Sequence, residues 1–229
     1  YNKSSYIKLI KTLHQCKKNH RRKIYMVTET VFIIFLTIIL IAVIGDFMVP
    51  FIIGTKYPGY SHLIHTVSAL GTSKSPVKKY ESINLIIVGI LFTIFSIGQW
   101  LLFTQKNWGN YLYLVGLLIF GIGSIFAGLY PEDSTGEAET VSGRIHGIAS
   151  GIGFIFLILN PLWAIWISEF EHLKIVNLIF FIFAILTFIL FLFSEKKITG
   201  FFKYTGLFQR INMLILYGNI IMNYTLIKN

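Results

Sequence analysis

Three stretches of this sequence hold side chains that could bind a ligand or move a proton. The first reads Tyr57-Pro-Gly-Tyr-Ser-His-Leu-Ile-His-Thr-Val-Ser-Ala-Leu-Gly71. If residues 61–70 form a short helix, His62, His65 and Ser68 fall at i, i+3 and i+6 along one side. Two histidines three apart can converge on one metal ion; the alternative is an amphipathic turn whose histidines lie at the level of lipid headgroups. The second stretch begins Tyr130-Pro-Glu-Asp133 and ends Ser142-Gly-Arg-Ile-His-Gly147. It carries Glu132, Asp133, Glu137, Glu139, Arg144 and His146. A neutral histidine at His146 could ligate a metal or accept a proton. The competing reading is a solvated acidic loop in which Asp133 starts a turn, and Glu137 and Glu139 belong to that loop. The third stretch, Gly206-Leu-Phe-Gln-Arg210, ends on an arginine that could clamp a phosphate or carboxylate, neutralise Asp46 or Asp133, or snorkel to a headgroup.

Asp46 lies in the otherwise apolar stretch 30–53. An acid there is costly unless it faces the protein interior or water. Asn84, Gln99 and Asn160 read as interhelical hydrogen-bond partners or as parts of a substrate path. The sequence has no Gly-x-x-x-x-Gly-Lys phosphate loop, no Gly-x-Ser-x-Gly nucleophile turn and no His-Glu-x-x-His helix. That argues against an energy-coupled pump and a standard zinc protease.

The elements that must position these groups are membrane spans. Of 229 residues, 55% are hydrophobic and only 13% charged, too few to coat a soluble domain. The apolar residues are gathered in long runs, and a chain in hydrocarbon must pair every backbone amide internally, which helices do segment by segment. An all-α polytopic bundle is expected, with six transmembrane helices over residues 26–54, 83–103, 111–130, 146–167, 175–193 and 211–227. The sixth is the weakest, because Asn212, Asn219 and Asn223 dilute it, and it suits a place inside the bundle. Gly147-Ile-Ala-Ser-Gly151, Ala149 and Gly153 on the fourth span, with Gly116, Gly121, Gly123, Ser124 and Gly128 on the third, predict close packing of those two helices.

The formal charge is +10, but eight of the twenty Lys and Arg residues precede Ile24. Lys3, Lys8, Lys11, Lys17, Lys18, Arg21, Arg22 and Lys23 form a basic segment, residues 1–25, next to the first span of a domain at 26–229. This is a cytoplasmic anchor on anionic lipid rather than a nucleic-acid site. An even number of spans puts both termini in the cytoplasm. Short turns around Lys106 and at 169–174 then face inward, and the longer segments 55–82, 131–145 and 194–208 face outward. Lys74, Lys78, Lys79, Lys196, Lys197 and Lys203 lie on the outer side in this topology, against the bias. Cys16 is the single cysteine, an inert thiol or an acylation site in the basic segment, and forms no internal disulfide. A start at Tyr1 predicts further residues upstream, and no small-residue cleavage site follows the first span.

Taken in order, His65-Thr-Val-Ser-Ala-Leu-Gly71, Gly128-Leu-Tyr-Pro-Glu-Asp133, His146-Gly147 and Gly206-Leu-Phe-Gln-Arg210 resemble a prokaryotic six-span membrane family, domain of unknown function 998. The resemblance covers residues 51–217. Residues 67–84 are more faintly similar to the Frag1/DRAM/Sfk1 membrane proteins, associated with lipid handling and autophagy. The resemblance implies a fold and a residue set: His65, Ser68, Gly71, Asp133, His146, Gln209 and Arg210, with His62 and Asp46 outside it. A Ser, Asp and His set at one membrane face is also similar to the metal-dependent ceramidase-like hydrolases, whose His-x-x-x-His pair is missing here.

Three functions follow as expectations. One is an outward-facing polar site for a membrane lipid or small amphiphile, contacted by Asp46, Gln209 and Arg210. In its hydrolytic form His65, Asp133 and His146 hold a zinc ion whose water attacks an ester or amide. Ser68, Asp133 and His146 then act as the catalytic set, Ser68 orienting the water and Arg210 holding an anionic headgroup. The second is a non-catalytic partner subunit, sensor or immunity protein in a prokaryotic plasma membrane. The third, less favoured because no internal repeat is visible, is a small-solute transporter using Asp46.

Overall fold

The structure is a computed structural model that describes residues 3–102, 107–134, 136, 138–195 and 203–226, and of residues 3–28 and 102 the backbone alone. Lys106, Glu137, Lys196, Lys197, Cys16 and the side chains of the basic segment lie outside what it describes. Among the described residues all regular structure is helical. Six α-helices follow one another: α1 Lys3–Gly54, α2 Lys78–Leu102, α3 Trp108–Leu129, α4 Val141–Ala164, α5 Lys174–Glu195 and α6 Thr205–Leu226. Short 3-10 turns at Ser68–Gly71 and Ser168–Leu173 interrupt the connections. The chain divides into two compact units, Tyr1–Thr37 and Ile38–Asn229. In the first, Thr37 Oγ1 donates back to the Ile33 carbonyl at 2.9 Å. The second holds α1 from Ile38 onward and every later element.

Five stretches are long and apolar enough to cross a bilayer: Glu29–Gly54, Lys78–Leu101, Trp108–Leu129, Val141–Ala164 and Ser168–Glu195. Large apolar side chains such as Ile175, Ile179, Phe183 and Leu186 on α5 stand exposed, as lipid-facing residues do. The protein is a multi-pass membrane protein. Helix α6 is not one of the five, and its packing explains why. Twelve of its 22 residues are buried. Asn219 and Asn223 donate to Asn177 Oδ1 on α5 at 2.7 and 2.9 Å, and Asn177 donates to Asn223 Oδ1 at 3.1 Å. Asn212 Nδ2 donates to the Ala184 carbonyl at 2.7 Å and to Thr187 Oγ1 at 2.8 Å, both on α5. The asparagines that depress its hydropathy are turned toward a neighbouring helix that satisfies them.

Several helices begin earlier than the apolar runs predict, because their first turns are polar. Thr140 Oγ1 accepts from the Gly143 amide and Asn107 Oδ1 from the Asn110 amide, each at 3.1 Å, capping α4 and α3. Helix α2 likewise starts at Lys78, which brings Glu81 onto a helix rather than a loop.

Close packing of α3 on α4 is present; of the small residues expected to make it, Gly116 and Gly123 on α3 and Ala149 and Gly153 on α4 do so, whereas Gly121 and Gly128 turn to α2. A Cβ at Gly123 would lie 2.5 Å from the Ala149 carbonyl oxygen, and one at Gly153 would meet Phe120 at 3.4 Å. At Gly147 and Gly151 a Cβ would meet nothing within 4 Å. The Gly147-x-x-x-Gly151 face is therefore open rather than packed, and the contact runs along Gly123, Ala149 and Gly153.

Candidate functional site

The C-terminal ends of α1, α3 and α5 and the N-terminal ends of α2, α4 and α6 lie at one end of the bundle. Two connections are tied together there, the Ser73 amide donating to the Glu132 carbonyl at 3.0 Å. The start of α6 docks on the first connection, with the Leu207 amide donating to the Leu63 carbonyl at 2.9 Å. Below these segments lies a cavity of about 310 Å³ lined by all six helices. That volume is near the lower bound for a small-molecule pocket. Leu85, Phe120, Phe154, Phe188, Phe191 and Met213 form its apolar wall, and Gly147, Ser150 and Gly151 supply the open face of α4. Its polar lining includes four carboxylates, Asp46, Glu81, Glu132 and Glu195. None of the described residues that line it is a lysine or arginine.

Of the residues expected from the sequence, Asp46, Ser68, His146 and Gln209 line this cavity, while His65, Asp133 and Arg210 do not. Asp46 is buried and accepts a hydrogen bond from the Tyr217 hydroxyl on α6. Gln209 Oε1 accepts from the Val67 amide at 2.7 Å, which fixes the 3-10 turn carrying Ser68 against α6. Ser68 Oγ lies 3.1 Å from Thr66 Oγ1. His146 is 2% exposed, with Nδ1 at 3.0 Å from the Ala127 carbonyl and 2.9 Å from that of Tyr130. Carbonyls only accept, so Nδ1 carries a proton and the ring is fastened to the end of α3.

The expected zinc set is not assembled. Among the described residues no group of three His, Cys, Asp or Glu stands so as to hold a metal ion. Each member has another partner. His65 Nδ1 accepts from the Ser61 amide at 2.9 Å, and its ring stacks on Tyr60 with centroids 5.4 Å apart. Asp133 accepts from the Thr140 amide at 2.8 Å and from Thr140 Oγ1 at 2.7 Å, holding the turn into α4. The acid therefore organises a helix start, and the Ser68, Asp133 and His146 set is not brought together around the cavity.

Arg210 is likewise not a headgroup clamp. It is 5% exposed; Nη1 donates toward the carbonyls of His62, His65 and Gly206 at 2.7, 3.1 and 3.0 Å, and Nη2 to the Tyr60 hydroxyl at 2.8 Å. Its guanidinium stands over the Phe51 ring, 5.3 Å from the centroid. The arginine ties the first connection to α6. Burial raises the Tyr60 pKa, against the opposing pull of Arg210. Burial also lowers the His62 pKa, with the nearby Arg210 charge acting in the same direction.

One residue escaped the sequence reading. Glu81, in the first turn of α2, is fully buried, and neither carboxylate oxygen has a hydrogen-bond partner among the described residues. Among the described residues, Asp46 and Arg210 are the charged groups within electrostatic reach of it. A signal for it existed: the buried face of α2 runs Asn84, Val88, Phe92, Phe95 and Gln99, and stepping that period back one turn lands on Glu81.

A family model described as protein of unknown function (DUF998) matches residues 40–223. No curated protein and no solved structure matches the chain.

Proposed function

This chain belongs to the DUF998 family of proteins of unknown function, and on that footing we propose that it is a membrane receptor site for a lipid or small amphiphile. The observation that carries the reading is the cavity, with phenylalanines on its wall and carboxylates, serines and amides in the same lining. Such a lining suits a molecule with an apolar tail and a polar head. The absence of packing at Gly147 and Gly151 leaves room for it along α4. In this reading the chain crosses a prokaryotic plasma membrane six times, with both termini in the cytoplasm and the cavity opening outward. A non-catalytic sensor or partner role fits it better than hydrolysis, because Asp133 is engaged by Thr140 and no zinc-binding trio is formed among the described residues.

The test is native mass spectrometry of the protein released from nanodiscs of mixed bacterial phospholipids. Wild type is expected to retain a bound amphiphile, and Gly151→Trp, which grows into the open face of α4, to lose it at unchanged helicity. Equal retention of amphiphile by the two proteins, or none by the wild type, overturns the reading.

A further inference from the structure

The unsatisfied atoms around the cavity are all of one kind. Among its described lining residues, the buried polar atoms without a partner are Glu81 Oε1, Glu81 Oε2 and Asn212 Oδ1. The Asn212 orientation is set by its amide nitrogen, which donates to the Ala184 carbonyl at 2.7 Å. With Glu81 ionised all three atoms are acceptors, and a buried acceptor without a donor costs free energy that a ligand can recover. The charges agree. Asp46, Glu81, Glu132 and Glu195 line the cavity, and Arg210, the buried cation within electrostatic reach of Glu81, gives its terminal nitrogens to carbonyls and to Tyr60.

Resting on the amphiphile-binding reading above, we propose that the ligand is cationic: a primary alkylammonium whose N–H donors meet Glu81 and Asn212 while its chain lies along Phe154, Phe188 and Phe191. An ammonium has three donors and no acceptor, which complements this lining. An anionic head would bring like charge to four carboxylates. A hydroxyl head would donate once and leave the charge unmet.

The experiment uses three photoreactive eight-carbon probes on the full chain in phosphatidylcholine nanodiscs: the ammonium, the alcohol and the sulfate. Adducts are located by peptide mass spectrometry. The ammonium should label the walls of α4 and α5 roughly tenfold more than the alcohol, as expected for a charge-assisted bond to a buried carboxylate, and the sulfate should not label them. Glu81→Gln should remove the advantage of the ammonium, bringing the ratio of ammonium to alcohol labelling to about one. Unlabelled octylammonium should compete, and methylammonium at the same concentration should not. Equal labelling by ammonium and alcohol in the wild type overturns the cationic assignment while the amphiphile site stands, and this comparison does not depend on any variant folding. Competition by methylammonium as strong as by octylammonium overturns the requirement for a chain. Labelling of the cavity by none of the three overturns the site itself, and the inference with it.

Discussion

At the residue scale, the end of the bundle where α6 begins is held by one guanidinium. Arg210 reaches three carbonyls and a phenol from the first turns of α6. Lysine could not span them, because a single ammonium lacks the planar fork. Arg210→Ala should destabilise the protein by about 3 kcal/mol, since buried carbonyls and the Tyr60 hydroxyl lose a charged donor together. Unfolding in graded dodecyl sulfate would measure it, and an unchanged midpoint would contradict the role. The same contact has a pH signature at His62. Because burial and the Arg210 charge lower its folded pKa, the folded state prefers the neutral ring. The resulting stabilisation is present above the ordinary histidine value of 6.5 and fades as pH falls through the folded pKa. An NMR titration of the His62 ring should give a midpoint below 6.5 that rises in Arg210→Met.

At the scale of elements, packed and open glycines on α3 and α4 can be separated by substitution. Gly123 meets the α4 backbone at Ala149, whereas Gly147 meets nothing. Gly123→Val should cost about 1–3 kcal/mol through forced separation of α3 and α4, and Gly147→Ala should fall within roughly 0.5 kcal/mol of wild type. Equal effects of the two, measured in the same unfolding assay, would place the contact elsewhere. Helix α6 depends on α5 through polar groups instead. Asn177 receives from both Asn219 and Asn223 and donates to Asn223, so Asn177→Leu leaves two buried amides without their acceptor. The expected loss is about 1–2 kcal/mol, with α6 becoming the first segment open to proteolysis. Protection of α6 equal to that in wild type would show that the amide cluster does not hold it.

At the scale of the whole molecule, topology relative to the membrane follows from which connections are accessible from each side. Lys79 is exposed at the start of α2. In the proposed orientation, Lys79→Cys in a Cys16→Ser background should react with an impermeant maleimide added outside intact cells. Reaction only after permeabilisation would invert the bundle and turn the cavity toward the cytoplasm.

Composition and the order of apolar runs were enough to specify helices crossing a membrane, because hydrocarbon leaves the backbone no other partner. They also marked α6 as the helix that belongs inside, since three asparagines on one helix need neighbours. Some single residues were legible because burial is costly by itself: Asp46 inside an apolar run had to face the interior, and it lines the cavity. Partnership was not legible. His65, Asp133 and His146 are separated along the chain, and nothing in their types or spacing reveals that Ser61, Thr140 and the end of α3 engage them first. Glu81 was hidden for a related reason, because an apolar count starts α2 after its polar first turn. Which glycines pack and which leave space was likewise a matter of tertiary structure: the same residue type at Gly123 and Gly151 meets a carbonyl in one place and open room in the other. Local chemistry sets what each side chain can do, and the relative rotation of the helices decides which of those abilities remain unused and face the cavity.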